Sequence, residues 1–368
     1  MEPQKIRTIK SAYMNWAKLR SSARFNLATS GMPNVLLRDI PFEKEDLELT
    51  YGGYGYGPLI DVIAKKEGVQ SENVVLAAGT SMANHLAIAA LISPGDEVVV
   101  EKPVYELIVS AAEYLGANVK FFERRHQNKY QIDVNELKSQ LTARTKLVVV
   151  TNLHNPSGIY ADDETLKQVG LAAARVGAKV LVDEVYLDTM FDDAPRSSFH
   201  LAENFVVTNS LTKTYGLSGL RCGWILADRD IAQKMHRLND LFASTNVHVA
   251  ERLSLIAIQN LRVFRDRAEE LLSKNRLILN AFLDSRNDLE TVRSDYGTTA
   301  FPRLLNADPE TLFRLLREKY ETTVVPGRFF YAPDHLRIGI TCDTEMLLGG
   351  LERLGAALDE FTESVASR

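Results

Sequence analysis

The chain has 368 residues, 45% of them hydrophobic and 25% charged, with a formal net charge of −5 and an isoelectric point near 5.9. That length exceeds one small core and fits a large domain joined to a smaller one, the composition excludes a disordered or fibrous chain, and the acidic balance argues against a nucleic-acid surface. Two cysteines, Cys222 and Cys342, are too few for a disulfide framework or a cysteine-built zinc site, so a reducing cytoplasm is the expected compartment.

The N-terminus MEPQKIRTIK lacks the apolar core of a secretory signal, and no stretch approaches the roughly 20 apolar residues of a membrane span, so a soluble, unprocessed protein without a membrane partner is expected. Residues 3–22 place Ile6, Ile9, Tyr13, Trp16 and Leu19 at helical spacing, which predicts an amphipathic arm. Ser30-Gly31-Met32-Pro33 reads as a turn, and the Tyr51–Pro58 run YGGYGYGP precedes a helical pattern through Ile60, Ile63 and Ala64.

From residue 73 short β-rich runs alternate with helical ones. Strands are predicted at 73–77, 97–101, 118–122, 146–151, 179–183 and 204–208, with helices at 82–92, 105–114, 134–141 and 164–176. Near-continuous apolar strands such as Leu147–Val150 and Val180–Val182 predict an α/β fold whose mostly parallel sheet is covered by helices on both faces. A long helical stretch is predicted over 247–284. Strands near 291, 298–304, 322–325 and 335–340 and helices at 309–319 and 344–362 then predict a smaller α+β domain. The expected organisation is an N-terminal arm with a small-domain contribution (1–50), a large domain (51–245), a linking helix (246–284) and a small C-terminal domain (285–368).

In open parallel sheets, ligands sit beyond the carboxyl ends of the strands. Gly79-Thr80-Ser81 follows the first strand and opens a helix, which suits an anion or an ordinary helix cap. Tyr105 follows the next strand, and Asn155 stands before Pro156, where the chain is held extended. Asp183 ends an apolar strand, where a buried carboxylate needs a cationic partner such as a protonated ring nitrogen. Lys213 lies just past Phe205-Val206-Val207 between Ser210 and Arg221; it reads equally as an imine-forming amine or as a solvated loop lysine. The VLVDE strand is also compatible with magnesium in a P-loop ATPase, but no G-x-x-x-x-G-K-[ST] occurs. No G-x-S-x-G occurs either, and the seven histidines form no convincing dyad.

The motifs YGGYGYGPL, AAGTSMANHL, PGDEVVVEKPVYE, TNLHNPSGIY, VLVDEVY, NSLTKTYGLSGLRCGW and HLRIGIT, in one order across residues 51–340, closely resemble the pyridoxal-phosphate aminotransferases of fold type I, class I and II. The resemblance implies a large pyridoxal-phosphate domain and a transfer of amino groups between an amino acid and a 2-oxo acid. It makes Lys213 the Schiff-base residue and proton shuttle, Asp183 the partner of the pyridinium nitrogen and Tyr105 the aromatic stacked on the ring. Asn155 and Tyr186 match the groups on the phenolic oxygen, while Thr80, Ser81, Ser210 and Arg221 match the phosphate cradle. Arg337, with Gly31 and Asn155, matches the clamp on the substrate α-carboxylate. Tyr51 matches a tyrosine reaching the neighbouring subunit's phosphate, which implies a homodimer with shared sites; Asn246 and Thr245 are looser candidates for the same interface. Arg24, Arg38 and Arg303 are candidates for a distal substrate carboxylate, with surface salt bridges as the alternative. The same residues also support β-elimination, C–S cleavage or synthase chemistry, and a non-catalytic regulator is a further alternative.

Overall fold

The structure, a computed structural model, describes residues 10–50 and 52–366, with side chains described as far as residue 361. Its centre is a seven-stranded sheet in the order Val74–Ala78, Cys222–Leu226, Phe205–Ser210, Lys179–Asp183, Thr145–Thr151, Glu97–Lys102, Asn118–Glu123. Six of these strands run in one direction, and Cys222–Leu226 lies antiparallel to both of its neighbours.

Alternation along the strands supplies two cores. Val148, Val150, Val180, Val182 and Val207 face one helical layer, while Leu147, Val149, Leu181 and Val206 face the other. Successive side chains in a strand point to opposite faces, so an unbroken apolar run buries both. The fold is therefore α/β with a mostly parallel sheet between helices, as the sequence predicts. Register then sets polar ends side by side: Thr151 stands opposite Asp183, and Asp183 opposite Thr208.

A third core joins the two ends of the chain. Leu27 and Met32 pack with Leu272, Leu279, Leu312, Ile338, Leu347 and Leu354. Phe25–Asn26 pairs with Thr322–Thr323, and Leu336–Gly339 pairs antiparallel with Thr299–Ala300 and Val325–Pro326. The N-terminal segment thus enters the smaller α+β unit.

Two local expectations differ from the observed elements. The predicted helix over 247–284 is two helices, His248–Gln259 and Leu261–Asp284. At the junction Asn260 leaves helical geometry, with φ −112° and ψ 24°, and its carboxamide donates to the Ile256 carbonyl at 2.8 Å, the local competition for backbone groups that makes Asn a poor mid-helix residue. Cys222–Leu226, over which the sequence predicts no strand, is a buried strand. The predicted arm is helical over Ala12–Leu19, where Ser11 accepts from the Met14 N–H as its cap, while Ile6 and Ile9 lie outside the described residues.

Candidate active site

The strand Lys179–Asp183 delivers Asp183 to the carboxyl edge of the sheet, only 5% exposed. Its hydrogen-bond partners are both neutral: the Asn84 amide donates at 2.7 Å and the Val185 N–H at 3.0 Å. Burial pushes its carboxyl up to about 6, against the pull of those two donors and of Lys213. Asn84 is itself oriented by the Thr208 hydroxyl, which donates to its carboxamide oxygen at 2.6 Å. That bond fixes which end of the amide faces Asp183.

Lys213 follows the strand Phe205–Ser210, and its Nζ donates to Ser30 Oγ at 3.2 Å. The Tyr186 hydroxyl donates to the same Ser30 oxygen at 2.9 Å, and Lys213 Nζ sits 6.0 Å from the Tyr186 ring centroid. Burial lowers the Lys213 pKa; Tyr13 and Asp183 oppose the shift, and Arg337 and Arg221 add to it. A lysine so placed has a larger neutral fraction than an exposed one, which is what a nucleophilic amine needs.

At the other side the helix Gly79–Leu91 begins at the sheet edge, and first-turn N–H groups have no partner within their own helix. Thr80 Oγ1 donates to Ser210 Oγ at 2.8 Å, and the Thr212 N–H donates to the same oxygen at 3.2 Å. Arg221, at φ +52°, turns back so that its Nη2 donates to the Ala78 carbonyl at 2.9 Å. Gly79 makes that approach possible: at φ +77°, a Cβ there would lie 2.4 Å from Arg221 Nη2.

Arg337, on Leu336–Gly339, is 1% exposed. It donates to Asn155 Oδ1 at 3.2 Å, to the Tyr13 hydroxyl at 3.1 Å and to the Ala28 carbonyl at 3.2 Å, and lies 4.9 Å from the Phe330 ring centroid. All of these partners are neutral, and its Nε has none among the described residues. Behind it, Asn155 N–H donates to Thr151 Oγ1 at 2.9 Å, and Thr151 donates through both its N–H and its hydroxyl to Glu101 at 2.6 Å. Glu101 is in turn paired with buried Arg124 at 2.7 Å.

Lys213, Asp183, Asn155, Tyr186, Tyr105 and Arg337 line one cleft of about 270 Å³, and Thr80, Ser81 and Arg221 line it too. Tyr105 meets Tyr13 edge-on at 5.1 Å. Gly31 borders an adjoining cavity of about 550 Å³ that shares Ser30 and Lys213 with the cleft. Ser210 reaches the cleft through Thr80. Thr245 and Asn246 line a different cavity of about 280 Å³, one that Arg221 also borders. Arg24 pairs with Glu321, Arg303 with Glu290 and Asp334, and Arg38 is exposed; none of the three lines the cleft or the adjoining cavity. Tyr51 lies outside the described residues.

These residues fit a pyridoxal phosphate group. A buried carboxylate with only neutral partners suits a ring cation, the opening left by a Cβ-free Gly79 holds Arg221 against a helix start, and Thr212 Oγ1 is buried without a partner among the described residues. Sequence reasoning passed over Asn84, Thr208, Ser30 and Tyr13. The first stands one helical turn after Thr80, a spacing that puts both on one face; the last two belong to the arm and its turn, whose meeting with residue 337 has no local signal.

The family model described as aminotransferase class I and II matches residues 40–354. A capreomycidine synthase of Streptomyces vinaceus is 32% identical over 283 residues, covering 76% of this chain and 73% of its own. An aspartate aminotransferase of Streptomyces avermitilis is 26% identical over 308 residues, with 79% and 76% covered. Among solved structures, a PLP-dependent aminotransferase from Streptococcus suis superimposes with a TM-score of 0.90 at 24% identity, covering 97% of this chain and 99% of that one.

Proposed function

Because this chain belongs to the class I and II aminotransferase family and is a pyridoxal-phosphate-dependent enzyme, we propose that Lys213 is its cofactor-bearing residue and that it moves an amino group from an amino acid to a 2-oxo acid in ping-pong turnover. The observation that carries this reading is one cleft holding a lysine of lowered pKa, a buried aspartate and a buried arginine whose partners are all neutral.

Pyridoxal phosphate, when bound, supplies an electron sink for the bonding pair released at the substrate α-carbon. Asp183 would hold the ring nitrogen protonated, its own ionised form favoured by Asn84 and Val185. Asn155 and Tyr186 would donate to the phenolic oxygen and Tyr105 would cover the ring. Thr80, Ser81, Ser210 and Arg221 would hold the phosphate through hydroxyls, helix N–H groups and a guanidinium. Arg337, with Gly31 and Asn155, would clamp the substrate α-carboxylate, and Lys213 Nζ would carry the proton to and from the α-carbon. The division of the chain at 1–50, 51–245, 246–284 and 285–368 belongs to the same proposal, as does a cytoplasmic homodimer in which Tyr51 and Asn246 reach the partner. No helix among the described residues is long and apolar enough to cross a membrane.

Borohydride reduction of the purified, cofactor-loaded protein followed by peptide mapping tests the assignment. The adduct is expected on Lys213, and an adduct on another lysine overturns it. The relationship to a capreomycidine synthase supports a second reading, synthase chemistry on the same residues. A panel of amino-acid donors coupled to 2-oxo acids separates the two: ping-pong dependence on both favours transfer, and turnover without a 2-oxo acid favours the synthase or a lyase.

A further inference from the structure

A cavity of about 200 Å³ lies between the arm helix and the small-unit helix Pro309–Glu318, and it shares no lining residue with the Lys213 cleft. Four arginines line it, Arg20, Arg314, Arg317 and Arg328, against a single acid, Glu310. Glu310 is already paired with Arg328. Neither Arg20, Arg314 nor Arg317 has a carboxylate at ion-pair distance among the described residues. Asp308, whose carboxyl feels Arg314, is committed to capping its own helix at the Thr311 N–H.

The local balance is therefore three positive charges in excess on a chain whose net charge is −5. Arg314 and Arg317 are three residues apart on one helix, a spacing at which side chains are neighbours and like charges repel. Arg317 also donates to the backbone carbonyl of Arg20, the residue that ends the arm helix, so a guanidinium of the second helix reaches the end of the first, where Arg20 lines the same cavity. Guanidinium forks match phosphate and carboxylate oxygens bidentately, and a set of like charges that outnumbers its counter-charges is relieved by an anion. Trp16 and Phe313 supply apolar walls, and the volume admits a small anion but not a nucleotide.

We propose that this cavity binds a small multivalent oxyanion, phosphoryl or carboxyl in chemistry, that bridges the arm helix to the helix Pro309–Glu318. Tyr13 on the same arm helix bonds Arg337, so the occupant steadies the helix that reaches the cleft.

Calorimetric titration of the cofactor-loaded enzyme with sodium pyrophosphate and, separately, with citrate at constant ionic strength tests this. One saturable site per chain is expected for at least one anion, the tighter of the two naming the chemistry. In the Arg314→Gln/Arg317→Gln variant the affinity should fall about tenfold or more, while the cofactor absorbance and the turnover measured without anion stay as in the parent. Absence of saturable binding for both anions overturns the proposal, as does parental affinity in the double variant, which would put the anion elsewhere.

Discussion

Asn84 holds the carboxylate of Asp183 at 2.7 Å, and it does so with an amide whose other end is pinned by Thr208 at 2.6 Å. A helix and two adjacent strands thereby fix one hydrogen bond. Asn84→Ala removes a donor that favours the ionised carboxyl, so the Asp183 carboxyl should rise above its value of about 6. The dissociation constant for pyridoxal phosphate should rise roughly tenfold, and Thr208→Val, which frees the amide to turn, should give a smaller change in the same direction. Absorbance titrations over pH measure both, and parental behaviour in Asn84→Ala would sink the idea.

The cofactor-free protein should show a pH signature of the same residue. In the folded chain the Asp183 carboxyl titrates near 6, above its ordinary 3.8, so the folded state holds that proton more tightly. The burden of a buried negative charge is thus absent below about pH 4, grows as pH rises to about 6 and is constant above. Asp183→Asn removes it. The stability of the variant relative to the parent, from urea unfolding of both cofactor-free proteins, should increase between pH 4 and 6 and then level off. A difference independent of pH would show that Asp183 does not titrate in this window.

Arg337 is surrounded by neutral oxygens and aromatic faces, so its charge is available to a substrate carboxylate. Arg337→Gln should raise KM for the amino donor roughly a hundredfold, the scale of losing a buried charge pair, while leaving the cofactor absorbance near that of the parent. Loss of the absorbance band with unchanged KM would assign Arg337 to the cofactor instead.

Gly79→Ala places a methyl group 2.4 Å from Arg221 Nη2 and does so at φ +77°. The backbone term alone costs about 1 kcal/mol, and Arg221 must leave the Ala78 carbonyl. Thermal stability should fall modestly, and, on the proposed role of Arg221, equilibrium dialysis should show cofactor affinity falling at least about tenfold, because the guanidinium would be displaced from the phosphate. Parental affinity would separate Arg221 from the phosphate.

Strand periodicity and the polar residues at strand ends were legible because each is a local pattern. Val148 to Val150 and Val180 to Val182 face two cores, and Asp183 follows directly from where that run stops. Cys222–Leu226 was hidden because a glycine follows its first residue and turn residues precede it, leaving three apolar positions that resemble any loop end. The break at Asn260 interrupts an apolar stripe that continues on either side, so periodicity alone runs through it. Ser30, Tyr13 and Asn84 meet Lys213, Arg337 and Asp183 across 183, 324 and 99 residues, a separation that leaves no trace in local composition.

The bonds from Arg337 to Ala28 and to Tyr13 span 309 and 324 residues. During synthesis the first of these groups leaves the ribosome long before the arginine exists. Asp183, Lys213 and Arg221 can be assembled on the finished sheet while the Arg337 end of the cleft is still open, because contacts of such sequence separation pay their loop-closure entropy last. On the proposed roles, a nascent chain halted before residue 337 should therefore take up pyridoxal phosphate without holding an amino acid, the first capacity preceding the second along the chain's direction.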